Sequence, residues 1–227
     1  AAGGFGVTKD VCDEMLDAGV DCLTSGNHIW DKREILGFVD LIPQLLRPAN
    51  YPEAQPGRGF YVGRSRRGGV PVATLNLSCR VFMNGAIDDP FRKAEALLVE
   101  LRKEAAVIVV DIHGEASSEK MALGYFLDGR VSAVVGTHTH VPTCDHRLLP
   151  KGTAYCTDLG MTGPYDSVIG VEKDVVVQRF LTGMPSRFET AKGDPRFAAA
   201  VVEVDPESGR AVGIERMLLG EADLVAY

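Results

Sequence analysis

The sequence predicts an α/β domain with mixed sheets layered between helices, and three observations carry that expectation. Two apolar, β-branched runs, residues 106–112 and 131–137, have the near-continuous character of strands buried on both faces. A helical pattern lies between them, the strand–helix–strand order that favours parallel pairing with a right-handed crossover. Beyond residue 147 the texture changes to paired short runs joined by Pro- and Gly-containing turns, as in antiparallel hairpins.

Taken in order, Thr8 is placed to cap a helix over residues 9–18, with Val11, Met15 and Leu16 or Cys12 on its inner face and Gly19 as its stop. Residues 20–26 follow as a strand that delivers Asn27 and His28. Asp31 and Glu34 have capping-box spacing, so a short helix is expected from there to about Val39. Pro43, Pro48 and Pro52 keep residues 42–56 irregular. Residues 59–63 and 70–77 read as two strands, and the intervening Arg64-Ser65-Arg66-Arg67-Gly68-Gly69 as a tight turn with solvated arginines. Residues 84–90 are a loop. Ala94, Leu97, Leu98 and Leu101 then make one apolar face of a helix over residues 91–103. Ser117 or Ser118 caps the next helix, which runs to about Asp128 and stops at Gly129. Residues 148–155 read as a hairpin, as do 198–204 and 211–217 around the turn at 205–210.

At 227 residues and 45% hydrophobic content the chain can bury one sizeable core, so residues 1–227 are expected to form a single domain. A net charge of −7 argues against an extended nucleic-acid surface or an anionic-membrane surface. A small anionic substrate is still admissible, because bound cations would dominate the local field. No apolar run reaches the roughly 18 residues of a membrane span. Five cysteines, odd in number and without a CxxC pair, suggest reduced thiols and a cytoplasmic location.

Three apolar runs end in residues that bind metals. Residues 20–26 deliver Asn27 and His28, 106–112 deliver His113, and 131–137 deliver His138 and His140, so four of the five histidines sit at strand ends. In open α/β sheets, ligands bind outside the carboxyl ends of the strands. If strand geometry persists through Thr139, His138 and His140 point to the same side. Neutral imidazoles with an amide oxygen suit Zn, Mn, Fe, Co or Ni, and no cysteine pair offers a structural zinc site. Open sets of this kind serve two-metal displacement at phosphorus, with His28 free of metal to protonate the leaving oxygen. The blander alternatives are a strand-capping and a solvated histidine at 138 and 140, a turn asparagine at 27, a core histidine at 113 and an orienting role for His28.

Gly26-Asn27-His28, His113-Gly114-Glu115-Ala116 and Gly136-Thr137-His138-Thr139-His140-Val141-Pro142-Thr143 resemble, in order and spacing, the calcineurin-like metallophosphoesterases. More narrowly the chain is similar to their bacterial YmdB-type cyclic-nucleotide phosphodiesterases. Ala2-Gly3-Gly4-Phe5-Gly6, Arg80-Val81-Phe82-Met83 and Thr162-Gly163-Pro164-Tyr165-Asp166-Ser167 extend the likeness over essentially the whole chain. The resemblance implies a four-layer α/β/β/α sandwich, two Fe or Mn ions, a homo-oligomer, and hydrolysis of small phosphodiesters such as 2′,3′- or 3′,5′-cyclic nucleotides. By position, Asn27, His113 and His138 would hold one metal, His140 would help hold the other, and His28 would donate the proton. In the family an opening strand ends in an Asp ligand and a second in Glu-Asn, ahead of the counterpart of Ala1-Ala2. The sequence has no match to these, so an N-terminally truncated fold lacking that strand–helix–strand unit is expected, with weak second-metal binding and little activity. The rival expectations are a phosphomonoesterase or protein phosphatase on the same scaffold, and a catalytically defective regulatory or binding protein.

Overall fold

A computed structural model describes residues 4–224; Ala1, Ala2 and Gly3, which open one of the family-like motifs, lie outside the described residues. Its centre is a six-stranded sheet of β1 (Phe60–Arg64), β2 (Pro71–Ser78), β3 (Val107–His113), β4 (Ala133–Thr137), β5 (Arg147–Leu148) and β6 (Ala154–Cys156), in the order β1-β2-β3-β4-β6-β5. The inner strands β2, β3, β4 and β6 are parallel, and the edge strands β1 and β5 are antiparallel. A second sheet is built on the hairpin of β8 (Pro195–Val204) and β9 (Ala211–Gly220), with the two-residue β7 (Gly163–Pro164) on its edge. The expected α/β sandwich with mixed sheets is thus observed.

The layers follow from side-chain size and polarity. Helices α2 (Pro90–Glu104) and α3 (Ser117–Leu127) lay Ala94, Leu98, Leu101, Leu123 and Leu127 on one face of the main sheet, against Leu75, Leu77, Ile108, Val110 and Val134. The opposite face meets the second sheet through Ala133, Ala154 and Ala211, with Val109, Val202 and Ile214 around them. Small residues there let two sheets approach; burial of apolar surface, about 25 cal/mol per Å², holds both layers together. A separate cluster of Cys12, Ile29, Ile35, Phe38, Val39, Ile42 and Leu45 joins helix α1 (Lys9–Asp17) to the irregular segment after it.

Several local expectations need correction. Residues 20–26 form no strand: Leu23 makes a single bridge to Leu45, its N–H donating to the Gln44 carbonyl and its own carbonyl accepting from the Leu46 N–H. Pairing on one side only leaves no ladder to continue. The helix expected after Asp31 is two short 3₁₀ turns, Arg33–Gly37 and Val39–Leu41, without a side-chain cap. The first turn starts from Lys32, one residue past Asp31, whose carboxylate instead meets His28. Helix α3 begins from Ala116 with no capping bond from either serine. Helix α4 (Lys173–Thr182), which the sequence reading passed over, ends at Gly183 in the left-handed region with φ 68°. The hairpins at 148–155 and 198–217 are present, somewhat shifted at their ends.

One feature of the main sheet positions the site. Ser78 pairs with His113 and His113 with Thr137, so β2, β3 and β4 end level with one another. The loops leaving them share one edge of the molecule.

Candidate metal centre

His113 is the last residue of β3, and its imidazole is fixed from both sides. Its Nδ1 lies 3.1 Å from the Thr137 hydroxyl, which donates its only proton to Asp111 at 2.9 Å. Nδ1 must therefore carry a hydrogen and donate, which leaves Nε2 as a lone pair. Burial first, then the neighbouring His138 and Lys120, keep the ring neutral and pull its pKa down to about 3. Burial also raises the Asp111 pKa, to about 6, against bonds from Thr24 and Thr137.

Asn27 is brought to this lone pair by a contact far away in sequence. Asn76 of β2 donates through Nδ2 to the Ser25 carbonyl at 2.8 Å, and the Ser25 hydroxyl donates to the Leu46 carbonyl at 2.6 Å. The chain then crosses His113 at Gly26, where a Cβ would lie 2.1 Å from Nε2, so only glycine fits. The Asn27 Oδ1 stands 2.7 Å from His113 Nε2.

His138 completes the cluster, although not by strand alternation. Strand β4 ends at Thr137, and His138 and His140 both have positive φ, 106° and 65°. They turn to different partners. His138 Nε2 lies 3.1 Å from the Glu115 carboxylate, so it donates there and presents Nδ1 as a lone pair, 3.1 Å from His113 Nε2. His140 donates through Nδ1 to the Ile169 carbonyl at 2.9 Å, leaving its Nε2 free. Burial lowers the His138 pKa, with Glu115 opposing.

Three lone-pair atoms, Asn27 Oδ1, His113 Nε2 and His138 Nδ1, thus face one another with no proton to share. Such an arrangement is repulsive by itself and is the arrangement that a cation resolves. The donors are two neutral imidazoles and one amide oxygen. Among the described residues no group of three or more His, Cys, Asp or Glu side chains is gathered as a metal site. The residues fit a divalent transition metal, with His113, His138 and Asn27 as its ligands. His140 and His28 share with His113 a cavity of about 310 Å³ that Gly26, Thr24 and Ser25 also line.

His28 is exposed at the mouth of that cavity, its ring 4.6 Å from the ring of Phe5 and its Nδ1 2.7 Å from the Asp31 carboxylate. The bond to Asp31 directs Nε2 outward.

The sequence model of the YmdB-like protein family matches residues 1–217. The chain belongs to the YmdB-like family. Similar to it is a Bacillus subtilis (strain 168) protein named 2′,3′-cyclic-nucleotide 2′-phosphodiesterase, 48% identical over 222 residues that cover 97% of this chain and 83% of that protein. A crystal structure of a hypothetical protein from Thermus thermophilus superposes with a TM-score of 0.89 at 44% identity, covering 97% of this chain and 84% of that one. A novel phosphatase from Mycoplasma pneumoniae gives 0.88 at 30% identity, with 96% and 78% covered. The YmdB-like chain therefore has the metallophosphoesterase fold, whose members use divalent metal ions.

Five residues of this YmdB-like site escaped the sequence reading: Asp31, Asp111, Glu115, Thr137 as an orienter, and Ile169 through its carbonyl. Asp31, Asp111, Glu115 and Thr137 each lie within three residues of a candidate histidine, whereas Ile169 has no such neighbour in the sequence.

Proposed function

We propose that the chain is a metal-dependent phosphodiesterase hydrolysing small phosphodiesters, 2′,3′- or 3′,5′-cyclic nucleotides, with His28 as the proton donor. The observation that carries this reading is the convergence of three proton-free donor atoms, one of them on His113, which lines a cavity together with His28, an exposed imidazole oriented by a carboxylate. The name of the Bacillus subtilis relative supports the substrate class. Asn27, His113 and His138 would hold one ion and His140 would contribute to a second; the family resemblance points to iron or manganese, and zinc, cobalt or nickel also accept imidazole donors. Two bound divalent ions would supply charge neutralisation at the phosphoryl oxygens and activation of water.

The chain's own residues do the rest. Thr137 and Asp111 hold the His113 tautomer, and Glu115 holds that of His138, so both rings meet an incoming ion with lone pairs already aimed. Asp31 holds Nδ1 of His28, keeping Nε2 available to hand a proton to the departing ribose oxygen. The reading includes a cytoplasmic location, supported by five free cysteines, and a homo-oligomer, supported by family resemblance alone. No helix among the described residues is long and apolar enough to cross a membrane.

The test compares bis-p-nitrophenyl phosphate with p-nitrophenyl phosphate, before and after chelation and after reloading with manganese. Diester preference of about tenfold or more in kcat/KM, lost on chelation and restored by metal, is expected. Monoester preference would move the protein to the phosphomonoesterase class, and chelator-resistant turnover would remove the metal from the reaction.

A second prediction isolates His28. Asp31→Asn should lower kcat on a cyclic nucleotide about 10–100-fold, because the leaving alkoxide needs a proton. On bis-p-nitrophenyl phosphate, whose leaving group departs without one, the loss should be several-fold smaller. Equal losses on both substrates would reduce Asp31 to a purely structural role.

A further inference from the structure

Among the described residues, five other than glycine have positive φ: Phe82 (61°), His138 (106°), His140 (65°), Ile169 (47°) and Asp194 (53°). L side chains avoid this region, and where they persist in it the surroundings enforce it, commonly at functional sites. His138 and His140 belong to the metal centre, and Ile169 supplies the carbonyl that orients His140. Phe82 has no part in that centre, yet it leaves from the same edge of the sheet.

Phe82 is the third residue of a turn closed by the Met83 N–H on the Arg80 carbonyl at 3.1 Å. A positive φ at that position ordinarily calls for glycine. Burial returns nothing for the strain, since Phe82 is 84% exposed. The turn is nevertheless rigidly held. The Glu119 carboxylate accepts the Arg80 N–H at 3.0 Å and the Val81 N–H at 2.8 Å, and Met83 packs against the main core. Glu119 lies in the first turn of α3, six residues after His113, and the Cys79 N–H donates to the His113 carbonyl at 2.8 Å. From Cys79 to Phe82 is three residues of chain, about 11 Å at full stretch. Exposed Val81, Val141 and Ile169 add apolar surface on the loops of this edge. Phosphate and metal ions have no use for an aromatic face held in water; a nucleobase does, because stacking desolvates both rings, and a ring already held in place loses little freedom on binding.

We propose that Phe82 is the platform on which the base of a nucleotide substrate stacks, and so a specificity-determining residue of this site. The proposal rests on the phosphodiesterase reading above.

The experiment pairs adenosine 2′,3′-cyclic monophosphate with glycerol 1,2-cyclic phosphate, which offers a cyclic diester without a base. Phe82→Gly should lower the ratio of kcat/KM for the nucleotide over the glycerol ester by about tenfold, chiefly through KM, and Phe82→Trp should keep it near wild type. The Tm of Phe82→Gly should equal or exceed that of wild type, because glycine relieves the strained backbone. An unchanged ratio with nucleotide turnover intact overturns the platform and leaves the phosphodiesterase standing. A wild-type protein that hydrolyses neither cyclic ester overturns both.

Discussion

Replacing His113 with alanine should lower kcat/KM toward a cyclic phosphodiester by about 10³-fold or more while leaving the fold intact. Removing a group that merely orients a metal ligand costs 10–100-fold, and removing a single donor that stabilises transition-state charge costs about 10²–10³-fold. His113 is the common neighbour of the other two donors, with its Nε2 2.7 Å from Asn27 Oδ1 and 3.1 Å from His138 Nδ1. Its loss therefore dismantles the centre from the middle. The measurement is turnover together with elemental analysis of metal per folded chain, folding being checked by circular dichroism. Metal content should fall with activity. A variant that keeps its metal and works within tenfold of wild type would show that the three donors do not act as one ligand set.

The second large effect concerns stability. Lys120 and Asp158 are almost completely buried, their charged ends 2.8 Å apart. Lys120 Nζ also donates to the Thr137 carbonyl at 3.0 Å, while Asp158 accepts the Thr139 N–H at 3.0 Å and the Gly160 N–H at 2.9 Å. The pair thus clamps both sides of the turn that carries His138. A buried ion pair adds little net stability over apolar residues of the same shape, yet breaking it from one side strands a charge at a cost of about 3–5 kcal/mol. Lys120→Met is expected to lose that amount in denaturant unfolding, a large fraction of the 5–15 kcal/mol typical of a domain. Lys120→Met with Asp158→Leu should recover a good part of it, since no charge is then left unpaired. The double variant should still hydrolyse poorly, because the bonds to Thr137 and Thr139 are gone. A single variant that costs under about 1 kcal/mol would mean that water reaches Asp158 and the clamp is slack.

Two glycines beside the candidate ligands leave no room for a side chain. At Gly136 a Cβ would stand 1.7 Å from the Thr157 carbonyl oxygen, a backbone atom that cannot swing aside. At Gly114 it would meet the Cys79 side chain at 2.3 Å. Both glycines adjoin the segments that carry the proposed ligands, so these segments are packed against their neighbours rather than suspended in loops.

The sequence by itself determined the framework and the candidate ligands. Valine- and isoleucine-rich runs are read as buried strands, an intervening helix makes them parallel, and parallel strands ending level bring His113 and His138 to one edge although 25 residues separate them. The tertiary structure alone decided how the ligands are presented. Nothing near His113 in sequence reveals that Thr137 and Asp111 set its tautomer, and nothing at residues 20–26 reveals that Asn76, some fifty residues on, holds the Ser25 carbonyl in place of strand pairing. The expectation that alternation would aim His138 and His140 together failed for the same reason: left-handed backbone, enforced by Glu115, the Ile169 carbonyl and the Lys120–Asp158 clamp, overrides a strand's period of two. Periodicity reports which face of an element is apolar, a local property. Which lone pair faces a metal depends on hydrogen-bond partners that only the folded chain brings within about 3 Å.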